Sequence, residues 1–171
     1  MAKTLKPEAR FLVLFLVVLA ASFTLLAWTP VNDHVVEPFT GLVARASGGA
    51  LNLLGQHVTR NGTALQSPRF GVNIRNGCNG VEAMVILLAA IVSFPASWRA
   101  RVIGLALGTA VIQIVNLVRV VALFLTGEYL PRFFDAAHTV VWQSLVILVA
   151  VLVWIVWAQR FARPQPATVE P

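Results

Sequence analysis

Charge is what this 171-residue chain has least of: only 12% of its residues are Asp, Glu, Lys or Arg, while 58% are hydrophobic. Soluble domains carry about 25% charged residues. A water-soluble fold of this size cannot hide so much apolar surface, so the composition excludes a soluble globule and makes the bilayer the natural solvent. The chain has a single cysteine, Cys78, which excludes an internal disulfide. It lacks a cluster of ligand-type residues at zinc spacing, a Gly-rich phosphate loop and a Ser nucleophile elbow. No cofactor or metal is therefore expected. The formal net charge is +6, but the basic residues flank apolar runs and form no patch with interleaved aromatics. That pattern fits membrane topology and sets nucleic acid aside.

The apolar runs predict an all-α integral membrane fold with about four transmembrane helices. A span needs about 20 apolar residues. Phe11 to Trp28 is free of charge, Val102 to Leu125 interrupts its apolar run with Gln113, Asn116 and Arg119, and Ala136 to Ala158 begins with His138. Val81 to Phe94 is short, and extending it from Asn79 to Ser97 makes it a plausible fourth span. Lys3, Lys6 and Arg10, then Arg99 and Arg101, then Arg160 and Arg163 fall on one side of such a bundle. By the positive-inside rule that side is the cytoplasm. The first run is longer than a signal-peptide core and reads as an uncleaved anchor.

This divides the chain into four parts: 1–28 as the cytoplasmic end and first span, 29–77 as an extracytoplasmic segment, 78–160 as a three-helix membrane core and 161–171 as a disordered tail. In the outer segment, Phe39, Leu42, Val43, Ala46, Ala50, Leu53 and Leu54 recur at helical spacing. They predict an amphipathic helix lying on the membrane or the bundle, weakened in its middle by Gly48 and Gly49. Val58 to Leu65 reads as a small β-hairpin with Asn61-Gly62 as its two-residue turn. Phe70, Val72 and Ile74 alternate as in a half-buried strand.

The spans alternate in direction, so three reactive side chains arrive at one membrane depth. Cys78 precedes the second span between Gly77 and Gly80. Those glycines allow close backbone approach, and a helix N-terminus can lower a thiol's pKa. Arg119 lies late in the third span, where a charge is a functional-site hypothesis by default; Asn116 shares its face. His138 opens the fourth span, with Asp135 three residues earlier able to cap the helix or orient the imidazole. Glu82, one turn into the second span, either pairs with Arg119 or tunes the site. Taken singly, each has a plainer role: a small buried packing residue, a snorkelling cation, an interfacial histidine. Together Cys, His and Arg form a thiol-nucleophile kit. The imidazole takes the thiol proton and later protonates the leaving amine, and the guanidinium stabilises thiolate or oxyanion. Two other readings remain open: a non-enzymatic membrane scaffold with a structural Arg119–Glu82 pair, and a transporter subunit, which lacks an evident inverted repeat.

Asn-Gly-Cys-Asn-Gly-Val-Glu-Ala at 76–83, Asn-Leu-Val-Arg-Val at 116–120 and His138 at the head of the last helix resemble the exosortase/archaeosortase family. The short length and the hairpin before the cysteine look most like exosortase H. The resemblance covers roughly Leu54 to Trp157, in a chain more compact than many exosortases. It implies a cysteine transpeptidase of the bacterial inner membrane with its active site on the outer face. It further implies Cys78 as nucleophile, Arg119 as electrostatic partner and His138 as acid/base. The implied partners are exported proteins carrying a C-terminal sorting signal with a transmembrane tail, cleaved through a thioester and passed to an acceptor.

Overall fold

The structure is a computed structural model, and it describes residues 6–162. Lys3, Arg163 and the tail expected to be disordered from Pro164 lie outside the described residues. Four membrane-type helices are present. Helix α1 (Pro7–Ala27) buries none of its residues against the protein. Its Leu12, Leu16 and Val17 are more than half exposed, as suits side chains solvated by lipid. After a turn at Trp28 and a π-helical stretch (Asn32–Val36), helix α2 (Glu37–Leu53) follows. A three-stranded antiparallel sheet comes next, in the order β1 (Thr59–Asn61), β2 (Ala64–Gln66), β3 (Gly71–Asn73). The remaining helices are α3 (Val81–Ser93), α4 (Trp98–Tyr129) and α5 (Trp142–Phe161). A short 3₁₀ turn (Pro131–Phe133), a single α-turn and a π-helical stretch (Ala137–Val141) lead into α5, so that helical structure runs from Pro131 to Phe161.

Three of these stretches are long and apolar enough to cross a membrane: Pro7–Ala27, Trp98–Tyr129 and Pro131–Phe161. The remaining one, α3, is apolar but has only 13 residues, fewer than the about 20 a perpendicular span requires. The extension to Asn79 and Ser97 does not form, for local reasons at both ends. Gly80 is left-handed, at φ +80°, and stops the helix propagating backwards. Phe94 precedes Pro95 and leaves the helix at ψ 140°, because a residue before proline is pushed out of the α region.

Helix α4 holds the bundle together. It buries Ala100, Gly104, Gly108, Ile112, Asn116, Val120 and Phe124, a stripe spaced four residues apart. Small residues on that stripe let neighbouring helices approach closely, the usual device where lipid supplies no hydrophobic drive. A Cβ at Gly104 would overlap the indole of Trp157 on α5, and one at Gly108 would come within 2.9 Å of Leu87 on α3. The Trp157 indole N–H donates to the Ala100 carbonyl at 2.7 Å, closing that contact.

The outer segment folds against the other half of α4. Val43, Ala44 and Leu51 of α2, Val58, Leu65 and Ile74 of the sheet region, and Val120 and Phe124 of α4 form one cluster. The buried face of α2 is Thr40, Val43, Ala44, Ser47, Gly48 and Leu51. Leu42, Leu53 and Leu54 of the apolar pattern are exposed on the protein, on the side left for the membrane, while Val43 packs inward. Leu65 packs within 3.2 Å of where a Gly48 Cβ would stand. Gly48 is thus a packing requirement rather than a weak point. In the hairpin, Asn61 pairs with Ala64, so the two-residue turn is Gly62-Thr63, one position later than expected. Only Gly62 has positive φ (+60°), and glycine at the first turn position with a normal second residue is the II′ arrangement. Of the alternating Phe70, Val72 and Ile74, Val72 lies in the strand, opposite Leu65, and the other two flank it.

Candidate active site

The loop between β3 and α3 carries Cys78, and its backbone demands glycine twice: Gly77 at φ +85° and Gly80 at φ +80°. Only glycine adopts that region without strain. The Cys78 N–H donates to the Arg75 carbonyl at 2.9 Å, completing the turn that presents the thiol. Asn79, fully buried, fastens the loop from below. Its Oδ1 accepts from the Val81 N–H at 3.0 Å, at the start of α3, while its Nδ2 donates to Thr40 Oγ1 at 2.9 Å. Thr40 in turn donates to the Val36 carbonyl. A second tie crosses to the first π-helical stretch, where Asn76 Nδ2 donates to Asn32 Oδ1 at 2.9 Å.

His138 reaches this loop from the other π-helical stretch. Its Nε2 lies 2.9 Å from Cys78 Sγ, across sixty residues of sequence. A neutral thiol donates to Nε2, which requires the imidazole tautomer protonated on Nδ1. π-Turns widen a helix locally and often mark functional positions. Here both of them abut the cysteine loop.

Arg119 and Glu82, expected either to pair or to tune the site, hold opposite ends of one residue. Glu82 Oε1 accepts from the Gly77 N–H at 2.8 Å, and Arg119 Nη1 donates to the Gly77 carbonyl at 3.3 Å. Among the described residues no direct ion pair joins them. Arg119 is 3% exposed, and its Nε has no hydrogen-bond partner among the described residues. Asn116 lies on the same face of α4, fully buried, beneath Gly80, where an added Cβ would sit 3.0 Å from its Cγ. Neither amide atom of Asn116 is hydrogen-bonded among the described residues. A buried amide left unpaired costs about 1–3 kcal/mol, an expense with no structural return in this fold.

Asp135 neither caps nor orients. Its carboxylate is exposed and its backbone carbonyl accepts from Thr139 Oγ1. His138 stacks on Phe134, four residues earlier, with the two rings 13° from parallel. The sequence reasoning missed Asn79, Thr40 and Phe134. An asparagine flanking a Gly-Cys turn and preceding a helix was a readable cap signal. The other two emerge only from tertiary packing.

The electrostatics set the resting state. Burial pushes the Cys78 thiol above its ordinary pKa; the Arg119 guanidinium pulls it down, and the Glu82 carboxylate pushes it up. Burial is the largest of the three, so the thiol's pKa is displaced upward, opposite to the direction expected of a helix N-terminus. The Cys78 thiol and the His138 imidazole stand in hydrogen-bond contact. Among the described residues no three His, Cys, Asp or Glu side chains gather as a metal cage.

Fold and site together describe a helical membrane protein in which a half-buried thiol, an imidazole and a guanidinium from three separate elements meet at one loop. The family model described as transmembrane exosortase (EpsH) matches residues 4–157, and the chain belongs to that family. No curated protein and no solved structure matches it.

Proposed function

We propose that this protein is a membrane-embedded cysteine transpeptidase that removes the C-terminal sorting signal of exported proteins and transfers them to an acceptor. One observation carries the reading: the 2.9 Å approach of Cys78 Sγ to His138 Nε2 within a loop that Arg119 also binds. Family membership supports the transpeptidase-like class. Cys78 attacks the scissile carbonyl as its proton passes to His138 Nε2. The Arg119 guanidinium stabilises the developing negative charge. The imidazolium then protonates the leaving amine, the tail departs, and a thioester remains on Cys78. An amine, a hydroxyl or water resolves it. Glu82 supports the loop through the Gly77 N–H and Asn116 packs beneath Gly80; Asp135 is left without a role.

The same reading has the active site on the outer face of a bacterial inner membrane. Its support is the end of the bundle opposite the loop, where Arg10 and Arg101 line one cleft between α1, α3 and α4. The functional division is then an anchor (1–28), an outer clamp (29–77) and a catalytic core (78–160). Helix α5 continues one residue further, to Phe161.

The test is co-expression with a substrate bearing a C-terminal sorting signal, followed by mass spectrometry of the enzyme. A thioester on the peptide containing Cys78, absent in Cys78→Ser together with all processing, is the expected result. Processing that survives Cys78→Ser refutes the proposal and favours a non-enzymatic membrane subunit.

A further inference from the structure

Thiol–imidazole sites usually use a third polar side chain to hold the imidazole; here none does so among the described residues. The nearest carboxylate in sequence, Asp135, is exposed and bonded to other groups only through its backbone. What touches the ring is aromatic. Phe134 stacks on His138 with centroids 5.9 Å apart and planes 13° from parallel. Phe134 is itself held edge-on by Phe70 of the sheet at 5.4 Å, and Phe70 packs edge-on against the fully buried Phe124 of α4 at 5.5 Å. The series ends on Gly127, where an added Cβ would overlap the Phe70 ring. A rigid column thus runs from the core of α4 through the sheet to the imidazole.

We infer that Phe134 is the positioning residue of the Cys78–His138 pair, aligning Nε2 on the thiol and carrying the imidazolium on its ring face in place of a carboxylate. The inference rests on the reading of His138 as the base. Its chemistry is simple. When the S–H bond breaks and the proton bonds to Nε2, the imidazole becomes a cation. Offset-parallel rings at this separation hold their mutual orientation, and a cation within about 6 Å of an aromatic face is stabilised by the ring quadrupole. The charged groups around the pair are few: Glu82 from α3 and Arg119 from α4, both bound to Gly77 beside the thiol. Neither contacts the imidazole among the described residues.

The test reads the thiol directly. The full chain in lipid nanodiscs is alkylated with iodoacetamide, and the rate at Cys78 is followed by mass spectrometry from pH 6 to pH 10. Phe134→Leu keeps the apolar bulk and removes the π-face; Phe134→Tyr keeps both. Near pH 7, Phe134→Leu is expected to react about three- to tenfold more slowly than wild type, the range of an aromatic pair. Phe134→Tyr is expected to stay within about twofold. At the alkaline end, where the thiolate forms without help, the Phe134→Leu and wild-type rates converge. Convergence separates a failing base from a damaged fold, which would lower the rate at every pH. Equal rates near pH 7, a deficit that persists at pH 10, or an equal loss in Phe134→Tyr overturns the inference. Should Phe134→Leu not fold, the wild-type proton spectrum decides, with His138 assigned by His138→Gln. Ring protons displaced upfield of those of His34 and His57 support the stack; coincident ones overturn it. A Phe134 effect on alkylation in an enzyme that processes no tagged substrate leaves this inference standing and removes the proposed function. Normal processing with no Phe134 effect does the reverse.

Discussion

Helix α4 buries Ala100, Gly104, Gly108 and Ile112 along its first half, and Asn116, Arg119, Val120 and Phe124 along its second. Spacing is shared; chemistry is not. The first half meets Leu87 and Ile91 of α3 and Ala150 and Trp157 of α5 in a wholly apolar cluster. Phe94, Trp154 and Trp157 fill in around it, edge to face. The second half meets a polar loop, leaves an amide unpaired and buries a cation. A charge within the hydrocarbon costs about 2.5–3.5 kcal/mol on insertion scales. Val120 and Phe124 of that second half still belong to an apolar cluster with α2 and the sheet region. One helix therefore carries a purely apolar contact along its first half and a mixed apolar and polar one along its second.

That contrast can be broken from either side. The largest expected effect is His138→Gln, which removes the base and lowers processing of a tagged substrate by about 10²–10⁴-fold. Thermal unfolding in detergent is expected to stay put, since His138 lies outside both apolar clusters. Next comes Arg119→Met, of similar length but uncharged, with processing down about 10²–10³-fold, the usual loss for one oxyanion donor. A drop in melting temperature large enough to account for that loss would mean the cation is structural after all. Gly104→Leu attacks the other half. It drives a side chain into Trp157 and is expected to destabilise by about 1–3 kcal/mol, measured by chemical denaturation. Cys78 alkylation in the surviving folded fraction is expected to match wild type; a changed rate would show that the halves are coupled. The smallest effect sharpens the comparison. Glu82→Gln keeps an acceptor for the Gly77 N–H and removes a negative charge that raises the thiol's pKa. The alkylation midpoint is therefore expected to move to lower pH, and a midpoint that stays or rises refutes the electrostatic role.

Much of this contrast was written in the sequence because hydrocarbon enforces it. A helix face that carries Asn116 and Arg119 in an otherwise apolar run has to turn inward, and the alternating direction of the spans brings Cys78 and His138 to the same end. The family resemblance rested on those same residues, and the family model matches nearly the whole chain. What stayed hidden follows from packing rather than pattern. Helical spacing makes both Asp135 and Phe134 neighbours of His138, and only the packing of Phe134 against Phe70 shows which of them the ring meets. The pattern in α2 left open whether its apolar face meets the membrane or the bundle; packing answers by burying Val43, Ala44 and Leu51 and leaving Leu42 and Leu53 exposed. Glu82 and Arg119 looked like partners because opposite charges in an apolar setting seek each other. A glycine backbone, which no charge pattern reports, came between them.

The 13 residues of α3 have a consequence for the surrounding lipid. At 1.5 Å per residue the helix rises about 20 Å, roughly 10 Å less than the hydrocarbon thickness it sits in. A deficit of that size is relieved by thinning the adjacent leaflet or drawing the flanking loop below the headgroups. Either way Cys78 lies nearer the bilayer midplane than it would above a full-length span.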